Sequence, residues 1–253
     1  MQGTGRLLIY SHDSFGLGHL RRCRAIAHAL VERYRQLSVL ILSGSPIIGS
    51  YDFKSRVDFV RVPGVIKLRN GEYTSLQLHI DIETTLAIRR LIIRHTAEIF
   101  DPHLFLVDKE PLGLRGEVRD TLELLNARGT HCVLGLRDVM DDPATLVDEW
   151  QRKGAFPALR SLYQEIWVYG RPDLFDPVRE IPGMAAFAAK TRFTGYLRRT
   201  MPDEGPSLSE HQLPADDYLL VTTGGGGDGE ELIDWVISAY EQDPALPWPA
   251  VLV

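Results

Sequence analysis

Short apolar runs alternate along this chain with longer stretches of helical periodicity, and that alternation limits the fold more than any other feature. Arg6–Ser11 (RLLIYS) precedes His19–Arg35, where Leu20, Cys23, Ala27, Leu30 and Tyr34 recur at helical spacing. Leu37–Ser43 and Val57–Val62 read as strands, and Glu83–Phe100 as a helix with Leu86, Ile93 and Ala97 on one face. His103–Val107 is the next strand. Glu117–Arg128 is a helical pattern that stops at Gly129, the residue type expected just past a helix end. His131–Leu136, Glu165–Tyr169 and Thr191–Thr194 read as further strands. Strands of about five residues separated by helices predict an α/β domain built on a parallel sheet with helices on both faces.

The texture changes between Arg198 and Asp216. That stretch carries three Pro, several acids and little apolar periodicity, and reads as a linker. A new unit then begins with the strand Asp217–Thr223, the tract Gly224–Gly227 and the helix Glu230–Tyr240, and Pro249–Val253 reads as one more strand. The expected organisation is a domain over residues 1–197, a linker over 198–216 and the start of a second domain over 217–253.

Composition removes several classes of protein. With 253 residues, 44% hydrophobic and 25% charged, the chain has ordinary globular usage rather than that of a disordered or fibrous protein. The net charge of −6 argues against a dedicated nucleic-acid binder. No apolar run approaches the roughly 18–20 residues of a membrane span. Cys23 and Cys132 sit in no CxxC or Cys/His ligand spacing, so no metal site is expected. The N-terminus lacks a charged-then-apolar signal segment, and the expected location is cytoplasmic.

Parallel sheets bind ligands at the carboxyl ends of their strands. Polar clusters fall at four such ends: His12 to His19, Asp108-Lys109-Glu110, Arg137-Asp138 and Gly170-Arg171. In the first, Gly16 and Gly18 let the backbone approach a ligand at the start of a helix, and His19 suits a general base. Position 21 is Arg rather than the third glycine of a dinucleotide fingerprint, and Gly44–Ser50 lacks a P-loop lysine. A nicotinamide, flavin or nucleoside-triphosphate site is therefore disfavoured, and no cofactor is expected. Asp108, Lys109 and Glu110 could orient a base or hold a sugar hydroxyl. Thr223 and the row Gly224, Gly225, Gly226 and Gly227 offer backbone N–H groups to an anion, for which a diphosphate is the natural occupant.

A first sheet domain opening with Gly16-Leu-Gly18-His19, then a linker, then a second unit opening on a strand and the Gly224–Gly227 turn resembles the GT-B glycosyltransferases. The likeness is greatest to the family-28-like branch that makes the peptidoglycan lipid intermediate. The resemblance implies two Rossmann-like domains, the first for the acceptor and the second for a nucleoside-diphosphate sugar, with UDP favoured. It implies metal-independent, inverting transfer to a hydroxyl of a sugar, a lipid-linked or a small-molecule acceptor. His19 would be the base, helped or replaced by Glu110 or Asp138. Gly16, Gly18, Arg22, Asp108 and Arg137 would line the acceptor side, and Thr223 to Gly227 would hold the diphosphate. The longer string Gly16-x-Gly-His-x-x-Arg22-Cys23 also resembles the UDP-sugar hydrolases of pseudaminic-acid synthesis, where the matching histidine is implicated in activating water. A hydrolase or epimerase on the same fold, and a truncated binding module without catalysis, are the alternatives. The family's second domain carries further strands, so this chain is expected to be part of a longer enzyme. A peripheral membrane contact through the Val65–Leu68 loop, with Lys67 and Arg69, is a further expectation.

Overall fold

The computed structural model describes residues 4–12, 17–68, 71–140, 142–198, 213–223 and 229–253. The chain forms two units, Met1–Arg198 and Arg199–Val253. The first runs β1 (Gly5–Ser11), α1 (Gly18–Arg33), β2 (Leu37–Ser43), β3 (Val57–Arg61), the antiparallel pair β4 (Val65–Lys67) and β5 (Tyr73–Ser75), and α2 (Ile82–Phe100). It continues with β6 (Leu104–Asp108), α3 (Arg119–Ala127), β7 (His131–Arg137), α4 (Pro143–Lys153), α5 (Ala155–Ser161), β8 (Glu165–Tyr169), α6 (Pro177–Glu180) and β9 (Thr191–Phe193).

Seven strands form one parallel sheet in the order β3-β2-β1-β6-β7-β8-β9. The chain steps outward from β1 to β3, returns to the opposite side of β1 at β6, and steps outward again to β9. The topological switch point therefore lies between β1 and β6.

Two-residue alternation along the strands sorts the core into two layers. Leu7 and Ile9 of β1, Leu106 of β6 and Val133 of β7 pack with Leu20, Cys23, Ala27 and Val31 of α1. Leu8, Tyr10, Phe105 and Leu134 face the other way, toward Ile93 of α2, Leu122 and Leu125 of α3, and Trp150 of α4. Both faces are covered, which is why the strands read as nearly unbroken apolar runs. The helices end where local chemistry ends them. Asp81 caps α2 by accepting from the Thr84 amide at 2.8 Å, and Asp142 caps α4 through Thr145 at 3.0 Å. Gly154 closes α4 in the left-handed conformation.

Two expectations need correction. The helix read from Glu117 starts at Arg119, because Gly113, Arg115 and Gly116 turn the preceding backbone left-handed. Glu117 instead points into the core, where its carboxylate accepts from Arg89 Nε and Nη2 at 2.7 and 2.6 Å and from the Tyr10 hydroxyl at 2.6 Å. A buried charge survives only when paired and hydrogen-bonded in this way. The Val65–Leu68 loop is also different: Val65–Lys67 is strand β4, and Val65 packs inward with Leu86 and Leu114. Arg69 lies outside the described residues. No described helix is long and apolar enough to cross a membrane.

The second unit pairs β10 (Leu219–Val221) with β11 (Ala250–Leu252) in parallel, with α7 (Glu230–Gln242) between them in sequence. Both strands are shorter than their apolar runs suggest. No residue of α7 is buried.

Candidate functional site

The site grows from the two strands that flank the switch point. On β6, alternation puts Asp108 on the same face as Leu106, the face covered by α1. On α1, His19 and Arg22 are three residues apart and share a face of the first turn. The three meet. His19 Nδ1 lies 2.5 Å from Asp108 Oδ2, and Arg22 grips the same carboxylate with Nε at 2.8 Å from Oδ1 and Nη2 at 2.7 Å from Oδ2. Arg22 Nη2 is also 2.8 Å from His19 Nδ1.

A contact of 2.5 Å between a ring nitrogen and a carboxylate oxygen is a hydrogen bond to Asp108 in the tautomer that carries its proton on Nδ1, and in that tautomer Nε2 holds the lone pair. This is the arrangement in which a carboxylate orients a histidine base. Burial by itself raises the Asp108 pKa, but the hydrogen bonds from His19 and Arg22 outweigh it and hold the carboxyl below its ordinary value. Burial opposes the charge on Arg22 as well, and Asp108 more than compensates.

Supporting residues surround this cluster. The Arg22 guanidinium lies over the Tyr169 ring, 5.7 Å from its centroid. Tyr169 fits because Gly135 of β7, the register partner of Trp167, has no side chain: a Cβ there would stand 1.9 Å from the Tyr169 hydroxyl oxygen. Gly135 is also paired with Asp108 across β6 and β7, and its carbonyl accepts from Lys109 N at 2.8 Å. On the other side His12 packs edge-to-face on His19, with ring centroids 5.8 Å apart.

The remaining sequence candidates do not join the cluster. Gly18 opens α1, and no described residue stands within 4 Å of where its Cβ would be. Glu110 Oε2 accepts from Lys153 Nζ at 3.0 Å. Asp138 accepts from the Tyr196 hydroxyl at 2.7 Å and packs over Gly170, and Arg137 is exposed at the end of β7. The Thr223 amide donates to the Val253 carbonyl at 3.1 Å. Gly16 and Gly224, Gly225, Gly226 and Gly227 lie outside the described residues. Asp108, read from sequence as orienting a base or holding a sugar hydroxyl, and Arg22, read as lining the acceptor side, are turned toward each other and His19. Sequence reasoning missed Gly135, Tyr169 and Lys153, and gave His12 no role beyond its place on the rim. The glycine inside the apolar run of β7 was the one available signal, since it marks a close approach. Among the described residues no group of three His, Cys, Asp or Glu side chains could hold a metal ion.

No protein-family model matches the sequence, and no curated protein matches it. Solved structures do. The glycotransferase of kitacinnamycin superposes with a TM-score of 0.58 at 16% identity, over 100% of this chain and 66% of that one. A putative UDP-N-acetylglucosamine 2-epimerase from Listeria monocytogenes gives 0.57 at 9% identity, over 100% and 62%. A ugt transferase from Siraitia grosvenorii, solved with UDP, gives 0.53 at 14% identity, over 94% and 62%. The chain has the GT-B-type fold. It spans just under two thirds of the length of these relatives, and the likeness at such identity is one of fold. Within the GT-B-type fold, the first unit supplies the whole His19–Asp108–Arg22 cluster.

Proposed function

We propose that this protein is a glycosyltransferase that moves a sugar from a nucleoside diphosphate, UDP being favoured, to a hydroxyl. Residues 1–197 serve the acceptor and 217–253 belong to the donor side. The observation that carries this reading is the Asp108-oriented imidazole of His19 at the switch point of the sheet. His19 Nε2 removes the acceptor's hydroxyl proton as the oxygen attacks C1 of the sugar. The C1–O bond to the diphosphate breaks, and the diphosphate leaves with the bonding electrons. Attack opposite the leaving group inverts C1. Asp108 stabilises the imidazolium that forms, and Arg22 keeps Asp108 ionised. On the donor side, the charge of the departing diphosphate falls to the Gly224–Gly227 tract.

UDP release from a UDP-sugar, followed with and without a hydroxyl acceptor, tests the reading. Release that depends on the acceptor and gives a glycosylated product supports transfer. Stoichiometric release into water alone supports the hydrolase alternative instead. His19→Ala is expected to lower turnover by about 10²–10⁴-fold. Near-normal turnover in that variant would remove His19 as the base.

A further inference from the structure

The two ends of the seven-stranded sheet differ. The carboxyl end carries the His19 cluster, while the amino end opens into a cavity of about 720 Å³, within the roughly 300–1,000 Å³ of ligand pockets. Leu30 of α1, Leu37 and Leu104, which open β2 and β6, and Trp167 of β8 form its floor. All four are only partly buried and pack against the core beneath α1. Gly5 and Leu7 place the cavity at the start of β1. At about 3.3 Å per residue, that strand sets it roughly 20 Å from the His19 cluster.

The rim is cationic. Arg33 and Arg35 line it, and neither pairs with a described residue. The ordinary task of a basic residue in a last helical turn is to answer the open carbonyls there. Arg56 already does this for α1, donating to the carbonyls of Val31 at 2.6 Å, Tyr34 at 2.8 Å and Leu37 at 3.1 Å. Two other lining residues are engaged: Arg6 holds the Asp101 carboxylate at 2.8 Å, and its amide donates to His103 Nδ1 at 3.1 Å. The Trp167 indole N–H is spent on Glu165 at 2.7 Å, so the ring brings apolar surface rather than a donor. Tyr34 and Gln36 complete the rim, and no described acidic residue lines the cavity.

A neutral apolar molecule would cover the floor and leave both guanidiniums unpaired. An inorganic anion would pair them and leave the floor wet. A molecule with an apolar body and one oxyanion head satisfies both, and the guanidinium fork matches a carboxylate or a phosphate.

We infer that this cavity binds an amphipathic organic anion, its carboxylate or phosphate monoester held by Arg33 and Arg35 and its apolar body laid over Leu30, Leu37, Leu104 and Trp167. The inference stands apart from the transferase reading, since none of these residues belongs to the His19 cluster.

The test titrates the full chain, without nucleotide, with octanoate, decanoate and decyl phosphate below their micelle concentrations, against decanol and decyltrimethylammonium. Calorimetry reads affinity and stoichiometry, tryptophan fluorescence reads the floor, and thermal melts establish that each variant folds. One anion per chain should bind saturably, decanoate more tightly than octanoate because burying methylenes is favourable. Affinity should fall about tenfold or more in the double variant Arg33→Gln/Arg35→Gln and weaken with added salt. The fluorescence change should vanish in Trp167→Phe. The tighter of decanoate and decyl phosphate identifies the head group. Decanol or the cation binding as tightly as decanoate, unchanged affinity in the folded double variant, a fluorescence change that survives Trp167→Phe, or no binding below the micelle concentration would overturn the inference. So would self-association, read by light scattering, that the double variant abolishes and decanoate does not displace, because the occupant would then be a second copy of the chain.

Discussion

His12 carries a pH signature that belongs to a single side chain. It is buried, its Nδ1 has no hydrogen-bond partner among the described residues, and its ring rests on His19. Burial foremost, then the charges of His19 and Lys109, hold its pKa well below the ordinary histidine value, against a smaller opposing effect of Asp108. Below about pH 6.5 the unfolded chain protonates this ring and the folded protein does not. The unfolded state then binds more protons, so stability falls as pH drops through that window. Urea unfolding between roughly pH 7 and pH 5 should show this loss reduced in His12→Gln, by up to about 1.4 kcal/mol per pH unit. Parallel stability curves for the two proteins would refute it, whatever the offset between them. His28, held down to about 4 by burial, Arg24 and Lys54, slopes the same way in both and cancels in the comparison. Asp108 has the depressed carboxylate's sign: its contribution is present above the ordinary carboxylate pKa and is lost only at more acid pH, outside this window.

Strands β7 and β8 show how an element without a reacting group can govern the site. Gly135 leaves room for the Tyr169 ring, the ring lies under Arg22, and Arg22 grips the carboxylate that orients His19. Gly135→Ala drives a Cβ into the Tyr169 hydroxyl, and overpacking of this kind costs about 1–3 kcal/mol. The expected result is a lower melting temperature and a fall in kcat that exceeds any change in KM, because a displaced Arg22 alters the base rather than substrate binding. Tyr169→Leu removes the ring beneath Arg22 and should lower kcat in the same manner. Full kcat in a folded Gly135→Ala protein would break this chain of support. Helices α1 and α2 were legible because their apolar spacing is a local pattern, and Asp81 caps α2 within three residues of itself. The start of α3 was not, because Glu117 answers to Arg89, 28 positions away.

At the scale of the molecule, the buried clusters draw on residues of the first unit, while α7 of the second buries none of its own. Ending the chain at Arg198 should therefore leave a cooperative thermal transition with its midpoint essentially unchanged, read by circular dichroism. Loss of the transition would show that the first unit does not stand by itself.

The alternation of apolar runs with helical patterns determined the α/β class, and the two-residue repeat of a strand sorts its residues between two buried layers. Both are properties of neighbours in sequence, so the chain alone carried them, together with the polar positions on the ligand-binding rim. Strand order is of another kind. Periodicity reports that a strand is buried on both faces, and it is silent about which strand lies beside it. Only the return of the chain at β6 to the open side of β1 brought His19 and Asp108, 89 positions apart, to 2.5 Å. With Arg22 on the same carboxylate, three residues legible separately became one hydrogen-bonded cluster.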